Sequence, residues 1–76
     1  MQDWRVTLAR NVRRLRLQKG MTQEELAFEA GVDRTYISQV ERGKRNITIV
    51  VLARLAAALR TTPERLVASS LRRSAT

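Results

Sequence analysis

TQEELAFEAGVDRTYISQVERG, residues 22–43, reads as two short helices joined by a tight turn. Thr22 is an N-cap candidate, and Glu25 three residues later completes a capping-box pattern. Leu26, Ala27 and Ala30 supply one apolar face. Gly31 follows directly, where a helix can end with a residue at positive φ. Asp33 is placed to cap a second helix, from Arg34 to about Arg42. Ile37 and Val40, spaced by three, are its inward positions, and Gly43 can close it.

The same reasoning extends to both sides. Asp3 can cap a first helix over residues 4–18, in which Trp4, Leu8, Val12 and Leu15 recur at helical spacing. Gly20 ends it, with Lys19 in the last turn where a cation favours the helix dipole. After the polar loop Gly43-Lys44-Arg45-Asn46, Thr48 is the N-cap of a fourth helix, Ile49 to about Leu59. Its expected core stripe is Ile49, Leu52, Leu55, Ala56 and Leu59. Val50, Val51, Ala53 and Ala57 make this helix apolar nearly all round, more than one small core needs. Thr62, with Pro63 at the first helical position, opens a fifth helix whose apolar residues are Leu66, Val67 and Leu71. The expected fold is all-α: a compact five-helix domain over residues 1–71, with 72–76 as a frayed tail.

With 76 residues, the chain is one small domain, marginal alone and often stabilised by a partner subunit. It has no Cys and no His. That removes disulfides, thiolate metal sites, the commonest metal ligand and the usual proton carrier near neutral pH. Glu24 and Glu25 are adjacent and point to different helix faces, and a glycine-rich phosphate loop is missing. Catalysis, a metal and a cofactor are therefore not expected. No apolar run approaches the ~20 residues of a membrane span. The opening MQDWRVTLARNV lacks the apolar segment of a signal peptide. A reducing cytoplasm is the expected setting. A basic amphipathic first helix could also lie on a membrane surface, but residues 22–43 give it a core to pack on.

Net charge is +8, from 15 Lys and Arg against 7 Asp and Glu. Its distribution is uneven. Residues 21–33 carry only Glu24, Glu25, Glu29 and Asp33, whereas 34–46 carry Arg34, Arg42, Lys44 and Arg45 against Glu41. The second helix of the central pair and its loop are basic, directly after an acidic helix, which implies a polyanionic partner. Two capped helices with a glycine turn also match the helix-turn-helix arrangement of DNA readers.

Over residues 8–67 the chain resembles the Xre-type helix-turn-helix family of lambdoid phage repressors. The resemblance rests on Arg16 with Gly20, the run Thr22-Gln23-Glu24-Glu25-Leu26-Ala27, Gly31, Ile37 and Glu41-Arg42-Gly43. The string DRTYISQVERGKRNIT, Asp33–Thr48, is similar to the controller proteins of restriction–modification systems. Arg60 departs from the family, which often has Gly after the fourth helix. The resemblance implies a lambda repressor-like fold in a bacterial or phage, nucleoid-associated regulator. It would bind double-stranded DNA as a homodimer at a pseudo-palindromic operator. A phage-type repressor, or an antitoxin with a further protein partner, is the alternative. No small-molecule effector is expected.

A recognition helix turns its N-terminal residues toward base edges in the major groove. Here those are Arg34, Thr35, Ser38 and Gln39. Arg34 can bond guanine O6 and N7, Thr35 can meet a thymine methyl, and Gln39 can reach adenine. The resemblance implies base contacts for Arg34, Thr35 and Gln39, and backbone contacts for Thr22 and Gln23. Tyr36, Ser38, Arg42, Lys44, Arg45 and Asn46 are the flanking candidates; whether Arg45 also approaches bases is open. Surplus apolar residues Ile47, Val50, Val51, Ala57, Val67 and Leu71 mark the expected dimer face. Arg16 follows the core position Leu15, and Glu41 follows Val40. Both border the core, and the family commonly pairs the matching Arg and Glu, so a buried or half-buried ion pair is expected.

Overall fold

The computed structural model describes residues 3–69. Leu71 and the tail 72–76 lie outside the described residues. Five helices follow in order: α1 (Trp4–Gln18), α2 (Gln23–Ala30), α3 (Arg34–Glu41), α4 (Ile49–Ala58) and α5 (Pro63–Leu66).

Short polar side chains set the helix starts. Asp3 accepts from the Arg5 N–H at 3.0 Å. Thr22 Oγ1 accepts from the Glu25 N–H at 3.0 Å, and Glu25 Oε1 accepts the Thr22 N–H at 2.8 Å, closing a full capping box. Thr48 caps α4 through the Val51 N–H, and Thr62 caps α5 through the Arg65 N–H. Each such cap contributes roughly 1 kcal/mol. Asp33 differs from expectation: it holds the N-cap backbone position of α3, but its carboxylate makes no cap bond. The first-turn amides of α3 thus have no side-chain cap.

The helix ends share one chemistry. Behind α1, Gly20 N–H bonds Leu17 O and Met21 N–H bonds Arg16 O, the paired bonds of a Schellman turn. Gly43 and Lys44 repeat this on Val40 O and Gln39 O behind α3. Arg60 and Thr61 repeat it on Ala57 O and Ala56 O behind α4. The turn requires a left-handed residue, and Arg60 adopts φ 56° without being glycine. The end of α4 is therefore left-handed despite the departure from the family pattern.

The helices pack as a closed chain of neighbours: α3 on α2 and α1, α4 on α2 and α5, and α5 back on α1. One fully buried side chain from every helix meets at the centre: Val12, Leu26, Ile37, Leu55 and Leu66. Two expected core residues are outside it. Trp4 is 58 % exposed and Ile49 is 83 % exposed. Each opens its helix, and the first turns of α1 and α4 overhang the core, so helical periodicity holds while burial does not. Leu15 and Leu52 are half-buried at the core edge. Buried Asn11 was not expected. Its Nδ2 donates to Leu66 O at 2.9 Å and Ala68 O at 2.8 Å. A four-residue helix has no stability of its own; α5 is held by Leu66 in the core and by Asn11 on its terminal carbonyls.

Arg60→Gly should raise stability by up to about 1 kcal/mol, because relief of the left-handed strain exceeds the added entropy of the unfolded chain. Urea unfolding checks this; an unchanged or lower midpoint would show that Arg60 is not strained.

Candidate nucleic-acid interface

The eight residues of α3 span about 12 Å, comparable to the width of a major groove. Ile37 and Val40 point inward and are fully buried. They fix which face of α3 looks out. On that face Arg34 and Thr35 are exposed, and Ser38 and Gln39 are half-buried. The loop beyond carries exposed Arg42, Lys44, Arg45 and Asn46. Thr22 is exposed at the start of α2, but its hydroxyl is committed to the capping box.

Arg16 and Glu41 meet at the junction of α1 and α3. Arg16 Nε donates to Glu41 Oε2 at 2.6 Å, and Nη2 donates to Oε1 at 3.0 Å. The fork is bidentate, the strongest geometry for this pair. Side-chain exposure is 8 % for Arg16 and 2 % for Glu41. Arg16 Nη1 also donates to Met21 O at 2.8 Å, tying in the turn before α2. Hydrogen bonding to Glu41 raises the Arg16 pKa above its usual value, while burial acts in the opposite direction. Gln23 adds a contact that spacing did not reveal: its Nε2 donates to Glu41 Oε1 at 3.1 Å. Its side chain therefore serves the ion pair and joins α2 to it.

A second cluster lies on the outer face. Arg45 Nε donates to Gln39 Oε1 at 2.9 Å. The same guanidinium sits 4.2 Å from the centroid of the Tyr36 ring, within cation–π range. Tyr36 is half-buried and packs against the core. This contact was not legible in the chain, because it needs the loop to fold back over α3.

The expected dimer residues separate into two groups. Val50, 61 % exposed, and Ala57 lie on the surface, whereas Ile47, Val51 and Val67 are half-buried, with Ile47 and Val51 packed against the core. Ile49, expected inside, is exposed beside Val50. Ile49, Val50, Ala53 and Ala57 share one exposed side of α4 at helical spacing. Among the described residues, no helix is long and apolar enough to cross a membrane.

Comparison with known proteins places this geometry. A helix-turn-helix family model matches residues 12–66. A hypothetical transcription factor of Neisseria meningitidis is 52 % identical over 58 residues, which cover 76 % of this chain and 55 % of that protein. The chain thus spans about half the length of that relative. The structure is similar to the restriction–modification controller protein C.AhdI of Aeromonas hydrophila, with TM-score 0.79 and 45 % identity; 82 % of this chain and 94 % of that one are covered. It is also similar to the controller protein C.Esp1396I, solved as a tetramer with its natural 35 base-pair operator, with TM-score 0.75 and 39 % identity over 82 % of each chain.

The ion pair predicts a specific double-mutant result. Glu41→Ala strands a buried guanidinium and should cost about 3–5 kcal/mol in urea unfolding. Arg16→Ala should cost a similar amount, and the double variant far less than the sum. Single losses below about 0.5 kcal/mol would instead describe a surface pair.

Proposed function

We propose, on the premise that this chain belongs to the helix-turn-helix family, that it is a sequence-specific DNA-binding transcriptional regulator, acting as a homodimer and controlling a restriction–modification system. The observation that carries the reading is the outward face of α3. Arg34, Thr35, Ser38 and Gln39 are presented together on a helix whose inward side is locked by Ile37, Val40 and the Glu41 ion pair. Arg34 and Thr35 lie in the first turn, where a recognition helix meets base edges, and Arg34 has the fork that suits guanine. The start of α2 at Thr22 and Gln23, through first-turn backbone N–H groups left over by the capping box, and Arg42, Lys44, Arg45 and Asn46 beyond α3 are proposed to hold phosphates and set the register.

Similarity to controller proteins, one of them solved on its operator as a tetramer, supports a regulatory role over an enzymatic one. Dimerisation is assigned to the apolar side of α4, where Ile49 and Val50 are bulky and Ala53 and Ala57 let a second helix approach. Two copies related by a two-fold would read half-sites about one helical turn, roughly 34 Å, apart. A cytoplasmic, nucleoid-associated location fits this role.

Selection from random DNA by the purified chain should return a pseudo-palindrome, with affinity falling steeply as salt rises. Arg34→Ala should lose about 1–3 kcal/mol on that site and relax one base pair; equal loss on random DNA would make Arg34 a phosphate contact. Val50→Glu should give a monomer in light scattering at tens of micromolar and weaken operator binding. A wild-type monomer whose DNA affinity is unaffected by Val50→Glu would remove the dimer from the proposal.

A further inference from the structure

Gln39 is a half-buried side chain of the outer face, and its partner restricts what it can read. A free Gln amide recognises adenine with both ends, accepting from N6 and donating to N7. Here the oxygen is already engaged by Arg45 Nε at 2.9 Å. A guanidinium has five N–H donors and no acceptor. The opposite amide orientation would set N–H against N–H, so Arg45 selects the one with Oε1 toward itself. The amide nitrogen then faces away, with both hydrogens available.

The arrangement is held on two sides. The guanidinium lies 4.2 Å from the Tyr36 ring centroid, which limits where it can move. The loop bearing Arg45 is tied to Gln39 itself, since Lys44 N–H bonds Gln39 O at 3.0 Å. That bond depends on the left-handed turn at Gly43, φ 69°. Thr35, Tyr36, Gln39 and Arg45 line one open groove along the outer side of α3. The groove therefore offers the NH2 of Gln39 next to the remaining N–H groups of Arg45.

We propose that Arg45 is a positioning residue that turns the Gln39 oxygen toward itself and presents the amide's donors outward, so that Gln39 selects guanine over adenine. The proposal rests on the DNA-reading role above. Guanine presents two acceptors in the major groove, N7 and O6. Adenine presents one acceptor and one donor, and its amino group would face the Gln39 amino group. Cytosine presents only a donor, and thymine a single acceptor.

The test is base selection from a random DNA pool by the full chain and by Gln39→Ala, Arg45→Met, Tyr36→Ala and Tyr36→Phe variants. The position at which Gln39→Ala loses its preference is the one Gln39 reads. Wild type should prefer guanine there, roughly tenfold over adenine. Arg45→Met keeps the stem but removes the donors, and should let adenine rise to parity or above at that position. It should also lower affinity on all sequences and reduce the salt slope by about one. Tyr36→Ala removes the platform without changing charge and should shift the same position, whereas Tyr36→Phe should not. Adenine, cytosine or thymine preferred by wild type at that position overturns the proposal. So does a guanine preference that survives Arg45→Met and Tyr36→Ala, or a Gln39→Ala variant that alters no position. A wild-type chain that selects no sequence at all instead defeats the DNA-reading role on which the proposal stands.

Discussion

The bidentate pair of Arg16 and Glu41 is the joint on which the outer face of α3 depends. It links the last part of α1 to the last residue of α3, and through Met21 O and Gln23 it also holds the start of α2. Ile37 and Val40 prevent α3 from rolling, but apolar contacts tolerate sliding. A forked, directional bond at the far end of the helix does not. Net stabilisation by such a pair is small, because desolvating both charges offsets most of their attraction. Its contribution is one of geometry: with either partner absent, the remaining charge is buried and unpaired, so the native arrangement excludes alternatives in which the two groups separate.

Helix termini supply the second constraint. Side-chain caps at Asp3, Thr22, Thr48 and Thr62 start four helices where the residues demand it. Schellman turns behind α1, α3 and α4 send the chain back along the helix it has just left. Behind α3 this return brings Arg45 over Tyr36 and Gln39. Turn geometry at Gly43 thereby reaches the surface proposed to meet DNA. Behind α4 the same turn is made by Arg60. There the hydrogen bonds and the burial of Leu59 outweigh a left-handed strain of about 1–2 kcal/mol.

Much of this was legible in the chain because it is local. Capping residues, glycine stops and the inward Ile37 and Val40 can be read from spacing alone. Arg16 and Glu41 could be placed at the core border from Leu15 and Val40, and the family resemblance supplied their pairing. Helical period and burial part company at two positions. Trp4 and Ile49 obey the period but lie in first turns that extend past the core. The role of Asn11 is not legible in the chain, because a polar residue among Leu8, Val12 and Leu15 has no spacing signal for the carbonyls it serves, more than fifty residues away in sequence. The intramolecular contacts of Gln23 and Arg45, both legible only as candidates to meet DNA, have no sequence signal for a related reason: their partners Glu41, Gln39 and Tyr36 lie on elements whose approach only the assembled fold defines.

The ion pair also changes the charge that residues 34–46 present. Their only acidic residue is Glu41, and it is consumed by Arg16 from another helix. Among the described residues the other ion pair is Arg5 with Asp3. Arg34, Arg42, Lys44 and Arg45 therefore face outward without carboxylate partners. An uncompensated Arg attracts any polyanion, and phosphates outnumber base edges on a duplex. Charge by itself would favour binding everywhere. Discrimination requires that donors be held where only one base edge can meet them, which depends on the rigidity of α3. Burying Glu41 serves both needs of the proposed role: it leaves the cations of residues 34–46 without a carboxylate among them and ties down the helix proposed to read bases.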